Sequence, residues 1–553
     1  MRQLLEPSIL VALLALGCAA PRRASFEITF ASPALGERAV RAEVTVLEGS
    51  CRGTVLHRDT FDARGQGASI APLRPGVYGF RARVIDAACA VYAEGCTQVS
   101  LPIPDARVVV VVAERAPSAL CAAEACAGGS CAPGALVDAG TELVDAGVPV
   151  AATDAGALDG GEDAVDASLR ALDGGGPPPL DAGVPSPIDA GAPALELVPT
   201  NIPPALLALG TAELVVRAAD EVVVLDTDDG SIHRLSDRAD RRPAGLVVSV
   251  LPQLGGAPDL AVLSLRALRI EAGAELRVVG AAALVLAVRD EVIIEGRLDA
   301  DADGRSAGPG GFEGGTLSSR AGRGPGGGGA GPSATDVGGG GGGHLAVGGA
   351  GGDTGGTRGG AGGGSCGDAD LSPLVGGSGG AAGGGTNAAG EGGGGGGAVQ
   401  ISSARIVVAA SGAIDCAGGG GAGGALDDAA GGGGAGGAIL LEALTLEVRG
   451  ALVANGGGGG AGANLAVRGA DGEPGQTAER AARGGAGAGE GTGGGAGGAS
   501  GSTRGGDGVD ATGSLDNAGG GGGSAGRVRL RAASAMLDGA VLSPREGVVS
   551  TGL

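Results

Sequence analysis

The sequence contains no lysine and no tryptophan: all 38 basic residues are arginine, and two tyrosines and five phenylalanines supply every aromatic ring in 553 residues. Without lysine there is no Schiff-base amine and no phosphate-binding lysine of the P-loop kind. The three histidines, His57, His233 and His344, are isolated from any Ser or Cys elbow motif, which leaves nucleophilic triads without support. Positive charge is short as well. With 61 acids against 38 arginines the chain carries a formal charge of −23, which argues against nucleic acid and against anionic membrane surfaces as partners. Glycine takes the place of what is missing. It accounts for 122 residues, far above the usual ~7 per cent, and 88 of these fall between residues 305 and 526. Such a composition belongs to a repeat or low-complexity array and not to one dense enzyme core.

The first eighteen residues, MRQLLEPSILVALLALGC, combine Arg2 with an apolar stretch from Ser8 to Leu16, too short for the ~20 residues a spanning helix needs. Residues 1–18 therefore read as an export signal. Its end, Leu14-Ala15-Leu16-Gly17-Cys18, resembles the bacterial lipobox, which implies diacylation of Cys18 and attachment to a bilayer. Ala19 in the next position implies, by the same resemblance, the outer membrane or cell surface; the alternative is an ordinary secretory signal and a secreted or periplasmic protein. Eight further cysteines, an even number in an exported chain, read as disulfides. Six lie early (Cys51, Cys89, Cys96, Cys121, Cys126, Cys131) and two late (Cys366, Cys416). The spacing leaves the pairing of the first six open. A bond between Cys366 and Cys416 would clip the first glycine tract back onto the apolar repeat, and free thiols there would argue against that return.

The chain divides by composition. Residues 24–131 alternate like strands and hold six of the seven aromatics; Leu73-Arg74-Pro75-Gly76-Val77-Tyr78 resembles the bend of transthyretin-like and carboxypeptidase-regulatory-like sandwiches. A disulfide-pinned β-sandwich is expected there. Residues 132–196 repeat Asp-Ala-Gly around Pro177 to Pro179, and this small, acidic segment is too poor in apolar area to offset ordering; it reads as a disordered, self-repelling linker. Residues 197–304 turn apolar and β-rich again. Four segments then align on Gly296, Gly412, Gly450 and Gly539, each with an aliphatic residue two positions on (Leu298, Ile414, Leu452, Val541), and a looser copy starts at Leu268. Short strands, a glycine corner and an inward aliphatic predict a parallel β-solenoid, with Arg289, Glu447 and Arg529 facing water.

Residues 305–553 complete this solenoid, its rungs separated by long glycine tracts. If the rungs stack, the tracts must leave one edge and return to it. Side-by-side threefold helices of the polyglycine II kind, joined by backbone hydrogen bonds, are the arrangement that only glycine permits. The fold class expected is thus mostly β: an N-terminal sandwich and a C-terminal solenoid with polyglycine insertions. Taken together, lipobox, cysteine-pinned sandwich, Asp-Ala-Gly spacer and glycine-rich solenoid resemble glycine-rich surface lipoproteins of the myxobacterial type. The resemblance implies a non-enzymatic envelope protein with a structural, adhesive or surface-binding role, its partners being the bilayer and an envelope or extracellular polysaccharide or protein. A β-helix polysaccharide lyase or hydrolase is the alternative, weakened because Phe312 is the sole aromatic after Tyr92. No catalytic residue and no cofactor is expected. Asp299-Ala300-Asp301-Ala302-Asp303-Gly304 opens like a calcium loop, although Gly310 stands where the twelfth-position Glu belongs; Gly505 to Asp510 begins like a calcium nonapeptide but occurs once.

The address is testable. Replacing Cys18 by Ser is expected to move the protein from the membrane fraction to the soluble one, and a wild-type protein already soluble would refute lipidation.

Overall fold

The apolar repeat forms two facing ladders of parallel strands. The computed structural model describes residues 25–62, 73, 76–101, 107–127, 130–131, 197–386, 388–512, 516–545 and 550–551; the expected lipid site Cys18 and the linker 132–196 lie outside them. The wide ladder stacks Leu260–Ile270, Ala283–Ile294, Ala398–Val408, Ala438–Val448 and Arg527–Met536 in register. The narrow ladder stacks Val222–Asp226, Glu275–Val279, Arg297–Asp299, Ala413–Asp415, Ala451–Val453 and Val541–Ser543. Parallel in-register pairing places like side chains above one another. Leu263, Leu286, Ile401, Leu441 and Leu530 form one buried column, and Leu276, Leu298, Ile414 and Leu452 form another that Leu542 continues, all packed in the same core. Each buried aliphatic contributes roughly 1.5–3 kcal/mol, which gives the ladders their cohesion.

Gly296, Gly412 and Gly450 mark the corner between the ladders, as expected. A Cβ at Gly412 would stand 2.1 Å from the Ile294 carbonyl oxygen, and one at Gly450 2.1 Å from that of Gly412. The fourth copy differs by one residue: Ala451 pairs with Val541 and Leu452 with Leu542, so Leu542 takes the inward place expected of Val541. The glycine at 539 is needed for its backbone, at φ +76, and not for close stacking.

The N-terminal strands are not a separate lobe. Arg41–Glu48, Val55–Asp62, Gly76–Ile85 and Ala90–Leu101 pair antiparallel around a core containing Phe80, Tyr92 and Val110, and Arg107–Ala119 joins the first half of Ala90–Leu101. The second half pairs with Val247–Leu251, which pairs in turn with Leu260–Ile270. One continuous sheet therefore runs from the N-terminal strands into the wide ladder and covers its leading edge. The early cysteines join as Cys51–Cys96, Cys89–Cys126 and Cys121–Cys131. Among the described residues no helix is long and apolar enough to cross a membrane.

Each glycine tract leaves the end of a narrow-ladder strand and returns to the start of the next wide-ladder strand: 300–397, 416–437 and 454–526. The tracts pack on one another through their backbones. Gly431, Gly432 and Gly433 donate their N–H groups to Ala422, Ala381 and Gly521; Gly434, Ala435 and Gly436 repeat the cycle onto Gly419, Ser378 and Ser524, at 2.8–3.0 Å. The carbonyls of Gly431, Gly432 and Gly433 accept from Gly460, Gly393 and Gly342, and those of Gly434 and Ala435 from Gly457 and Gly396. The segment 431–437 is thus surrounded by six others, three receiving its hydrogen bonds and three supplying them. A period of three residues is that of an extended threefold chain.

The late cysteines do not pair. Cys416 is buried in the core between the ladders, Cys366 lies half-buried against Gly343 and Ser378, and both are free thiols. The tracts nevertheless fold back, because backbone hydrogen bonds and the ladder pull them together; the clip is not what makes the rungs stack. Arg529 also departs from expectation. It is 9% exposed, and its Nη1 donates to Ala369 O and pairs with Asp370 of the first tract.

The array makes a direct prediction. A Cβ at Gly433 or Gly434 would meet a neighbouring carbonyl oxygen at 2.2 or 1.9 Å, whereas one at Gly501 would meet nothing within 4 Å. Gly434→Ala is expected to destabilise the full chain by at least ~1–3 kcal/mol and Gly501→Ala by less than ~0.5 kcal/mol, as read from denaturant unfolding; equal effects would show that the tracts are not close-packed.

Candidate functional site

A polar concavity lies where the first tract leaves the narrow ladder, a cavity of about 880 Å³ whose walls include Arg277, Arg297, Asp299, Asp301, Gln476 and Thr477. Its acids are placed by strand register. Arg277, Asp299 and Asp415 occupy one column on three successive strands, so two carboxylates from distant parts of the sequence become direct neighbours. Alternation within 298–302 turns Leu298 and Ala300 into the core and leaves the Asp side chains outside.

Arg297 organises the cluster. Its Nη2 lies 2.5 Å from Asp301 Oδ2, 3.1 Å from Asp415 Oδ2 and 3.4 Å from Asp299 Oδ1. Arg277 Nε reaches Asp299 Oδ2 at 3.4 Å, the Thr477 hydroxyl donates to Asp415, and the Ala417 N–H donates to Asp301 Oδ1 at 2.6 Å. Burial disfavours the Arg297 charge, but Asp301, Asp299 and Asp415 outweigh it and hold its pKa above the ordinary value. Burial, then the charges of Asp415 and Asp299, pushes Asp301 well up; burial also raises Asp415, partly countered by its bonds to Asp301 and Thr477. The upward shift is the larger at Asp301.

Of the three residues expected to open a calcium loop, the structure brings Asp299 and Asp301 together and leaves Asp303 in an exposed turn closed by its reciprocal backbone bonds with Ser306. A guanidinium nitrogen stands where the carboxylates meet, so the site is an arginine–carboxylate cluster with a polar cavity before it. Asp507 and Asp510 of the nonapeptide-like stretch accept from the Ala350 and Asp353 N–H groups, each at 2.8 Å, and stitch neighbouring tracts.

Other groups were not apparent from the sequence. Glu442 is fully buried between strands yet satisfied: it accepts from Thr200 N–H at 3.1 Å, Gln400 Nε2 and Ser402 Oγ at 2.9 Å, and pairs with Arg531. It fastens the return of the chain after the acidic segment to the third glycine-bearing rung. His344 is brought beside Cys366, whose N–H donates to the His344 carbonyl. Burial, with help from Arg527, lowers the imidazole to about 4, its Nε2 meets Val375 O at 3.2 Å, and burial raises the Cys366 thiol. An imidazole of such low basicity draws a proton only weakly from a thiol whose own pKa is raised. Phe312 lines a second cavity of about 670 Å³ with Pro325, Pro373 and Val375.

The raised Asp301 carboxyl has a definite pH signature. Because the folded state holds the Asp301 proton more tightly than the unfolded chain does, stability from this group is full below the ordinary value of 3.8 and is lost as pH rises through the raised folded value. Asp301→Asn is expected to flatten the fall in melting temperature above about pH 4 relative to wild type; parallel profiles would show that the Asp301 carboxyl is not raised.

Compared with protein-family models, curated proteins and solved structures, the chain matches none.

Proposed function

We propose that the protein is a non-enzymatic, lipid-anchored envelope protein. Residues 197–553 act as a β-solenoid that carries a polyglycine II bundle, capped at one end by the N-terminal sandwich and projected from the outer membrane or cell surface for adhesive or structural contact. The observation that carries this reading is the six-neighbour hydrogen-bonded array around 431–437. A large part of the chain is spent on this backbone-packed array. The acids of the polar cavity support the same view, since Asp299, Asp301 and Asp415 are each held by arginine or backbone donors.

One observation favours a second reading. A carboxyl raised by burial and by neighbouring carboxylates, beside a cavity of about 880 Å³, is a feature of acid–base hydrolysis, so a polysaccharide lyase or hydrolase is the alternative. Incubation of the purified chain with neutral and acidic polysaccharides separates them. Retention on a polysaccharide or envelope fraction without new reducing ends or unsaturated products is expected; turnover abolished by Asp299→Asn or Asp301→Asn would overturn the non-enzymatic reading.

A further inference from the structure

A chain without lysine has no side-chain amine with which to close a covalent bridge to a carboxyl or carboxamide. A hydroxyl can take that place, and one is held for it where the chain returns after the acidic segment. Ser402, Glu442 and Arg531 form one column across three neighbouring strands of the wide ladder. Gln400 lies two residues before Ser402 and shares its face. Thr200 and Asn201 reach this face from the returning segment, and the Glu442 and Gln400 side chains beneath them are fully buried.

Each polar atom of the group has a place in one reaction. The Thr200 hydroxyl donates to Glu442 Oε1 and accepts from Arg531 Nη1 at 2.6 Å. A hydroxyl oxygen has two lone pairs, so one remains for attack, and the carboxylate and guanidinium both favour loss of its proton. Gln400 Nε2 donates to Glu442 Oε2 at 2.9 Å and to Ser402 Oγ at 3.0 Å, while Gln400 Oε1 accepts from Asn201 Nδ2 at 2.9 Å. A carboxylate faces only an amide nitrogen and a donor NH₂ only an amide oxygen, which gives this carboxamide one orientation. Asn201 is fixed in the same way, because its Nδ2 also donates to the Leu371 carbonyl at 2.8 Å. Hydroxyl and carboxamide thus meet on the two oxygens of a single carboxylate, with a donor already on the oxygen that gains charge in a tetrahedral intermediate. Ser402 is placed differently: its oxygen accepts from the amide nitrogen, which turns a lone pair to N–H and away from the carbonyl carbon.

We propose that Thr200 and Gln400 join in an ester. Glu442 takes the hydroxyl proton as Thr200 Oγ bonds to Gln400 Cδ, and Asn201 Nδ2 holds the oxyanion. The Cδ–Nε2 bond then breaks as Glu442 gives the proton to the departing nitrogen. The products are the ester and one ammonia; Glu442 is regenerated, and nothing is oxidised or reduced. Burial of Glu442 and Gln400 keeps out the water that would compete for the same carbon. The chemistry is independent of the reading of the whole protein. Only its use, a bridge that holds the returning segment to the ladder when the tether is pulled, rests on the anchored reading.

The test is peptide mapping of the purified full chain under reducing conditions. Cleavage at arginine places Thr200 in 171–217 and Gln400 in 359–405, and the two are expected as one linked species, lighter than their sum by one ammonia. Alkali applied to the unfolded protein should separate them, with Gln400 then read as Glu. Thr200→Ser should keep the bridge, Thr200→Val should lose it, and Glu442→Gln should slow its formation at least ~100-fold. The wild-type map decides the matter even where a variant fails to fold. Unlinked wild-type peptides with Gln400 intact, an ester confined to 359–405, or undiminished linkage in Glu442→Gln would each overturn the proposal. Failure of the anchored reading would appear in membrane fractionation and leave this map unchanged, so the two fail separately.

Discussion

A buried peptide group must have a hydrogen-bond partner, and glycine offers no side chain to provide one or to shield the group from needing it. The glycine-rich half of this protein depends on solving that problem with backbone alone. A threefold extended chain directs successive N–H groups at three neighbours, and packing it among six others satisfies its donors and nearly all of its acceptors at 2.8–3.0 Å. Each such bond is worth a net ~0.5–1.5 kcal/mol, close to the ~1–2 kcal/mol that ordering a residue costs. The array is therefore near balance by itself. The two ladders make the difference, because they fix both ends of every tract, one on a narrow-ladder strand and one on a wide-ladder strand, and bury the columns of Leu, Ile and Val that supply net stability.

The ladders were the most legible part of the sequence. The period of the apolar residues and the glycine corners located the inward column, since a stacked strand has room for no Cβ at that bend. Where backbone conformation and close stacking separate, as at Gly539 and Ala540, the alignment slipped by one residue. Solvent exposure of Arg529 was misjudged for another reason: the segment that covers it, around Asp370, is remote in sequence and has no periodic pattern. The late cysteines misled in the same way. Parity suggested a bond, but Cys416 follows the inward alternation of its strand into the core, where an unpaired thiol packs as a small hydrophobe. The joining of the N-terminal strands to the wide ladder was likewise invisible, because pairing between Val248 and Gln98 is written in main-chain hydrogen bonds that no side chain announces.

The candidate site was half legible. Asp299 and Asp301 stood out by their spacing, but their chemistry is set by Asp415 and Arg297, and Asp415 becomes a neighbour of Asp299 only through register across the whole first tract. Sequence proximity suggested a metal loop; spatial proximity gives an arginine–carboxylate cluster. The group around Glu442 shows the converse. Thr200, Gln400 and Glu442 belong to no recognisable spacing, and they are gathered by the return of the chain onto two strands of the wide ladder.

The three-residue cycle of the array also bears on how such a chain tolerates change in length. Adding or removing one residue within 431–437 would turn every following N–H by about 120°, so that a group facing Gly419 would face Ser378 instead. Gains and losses in steps of three would keep the phase and merely lengthen the rod, with the misfit absorbed at the exposed tips. In-frame slips in a glycine-coding repeat add or remove whole codons, and those of one or two codons would be out of phase here. Size variation among proteins built on this plan should consequently concentrate in triplets of residues within the packed tracts and be unrestricted at their turns.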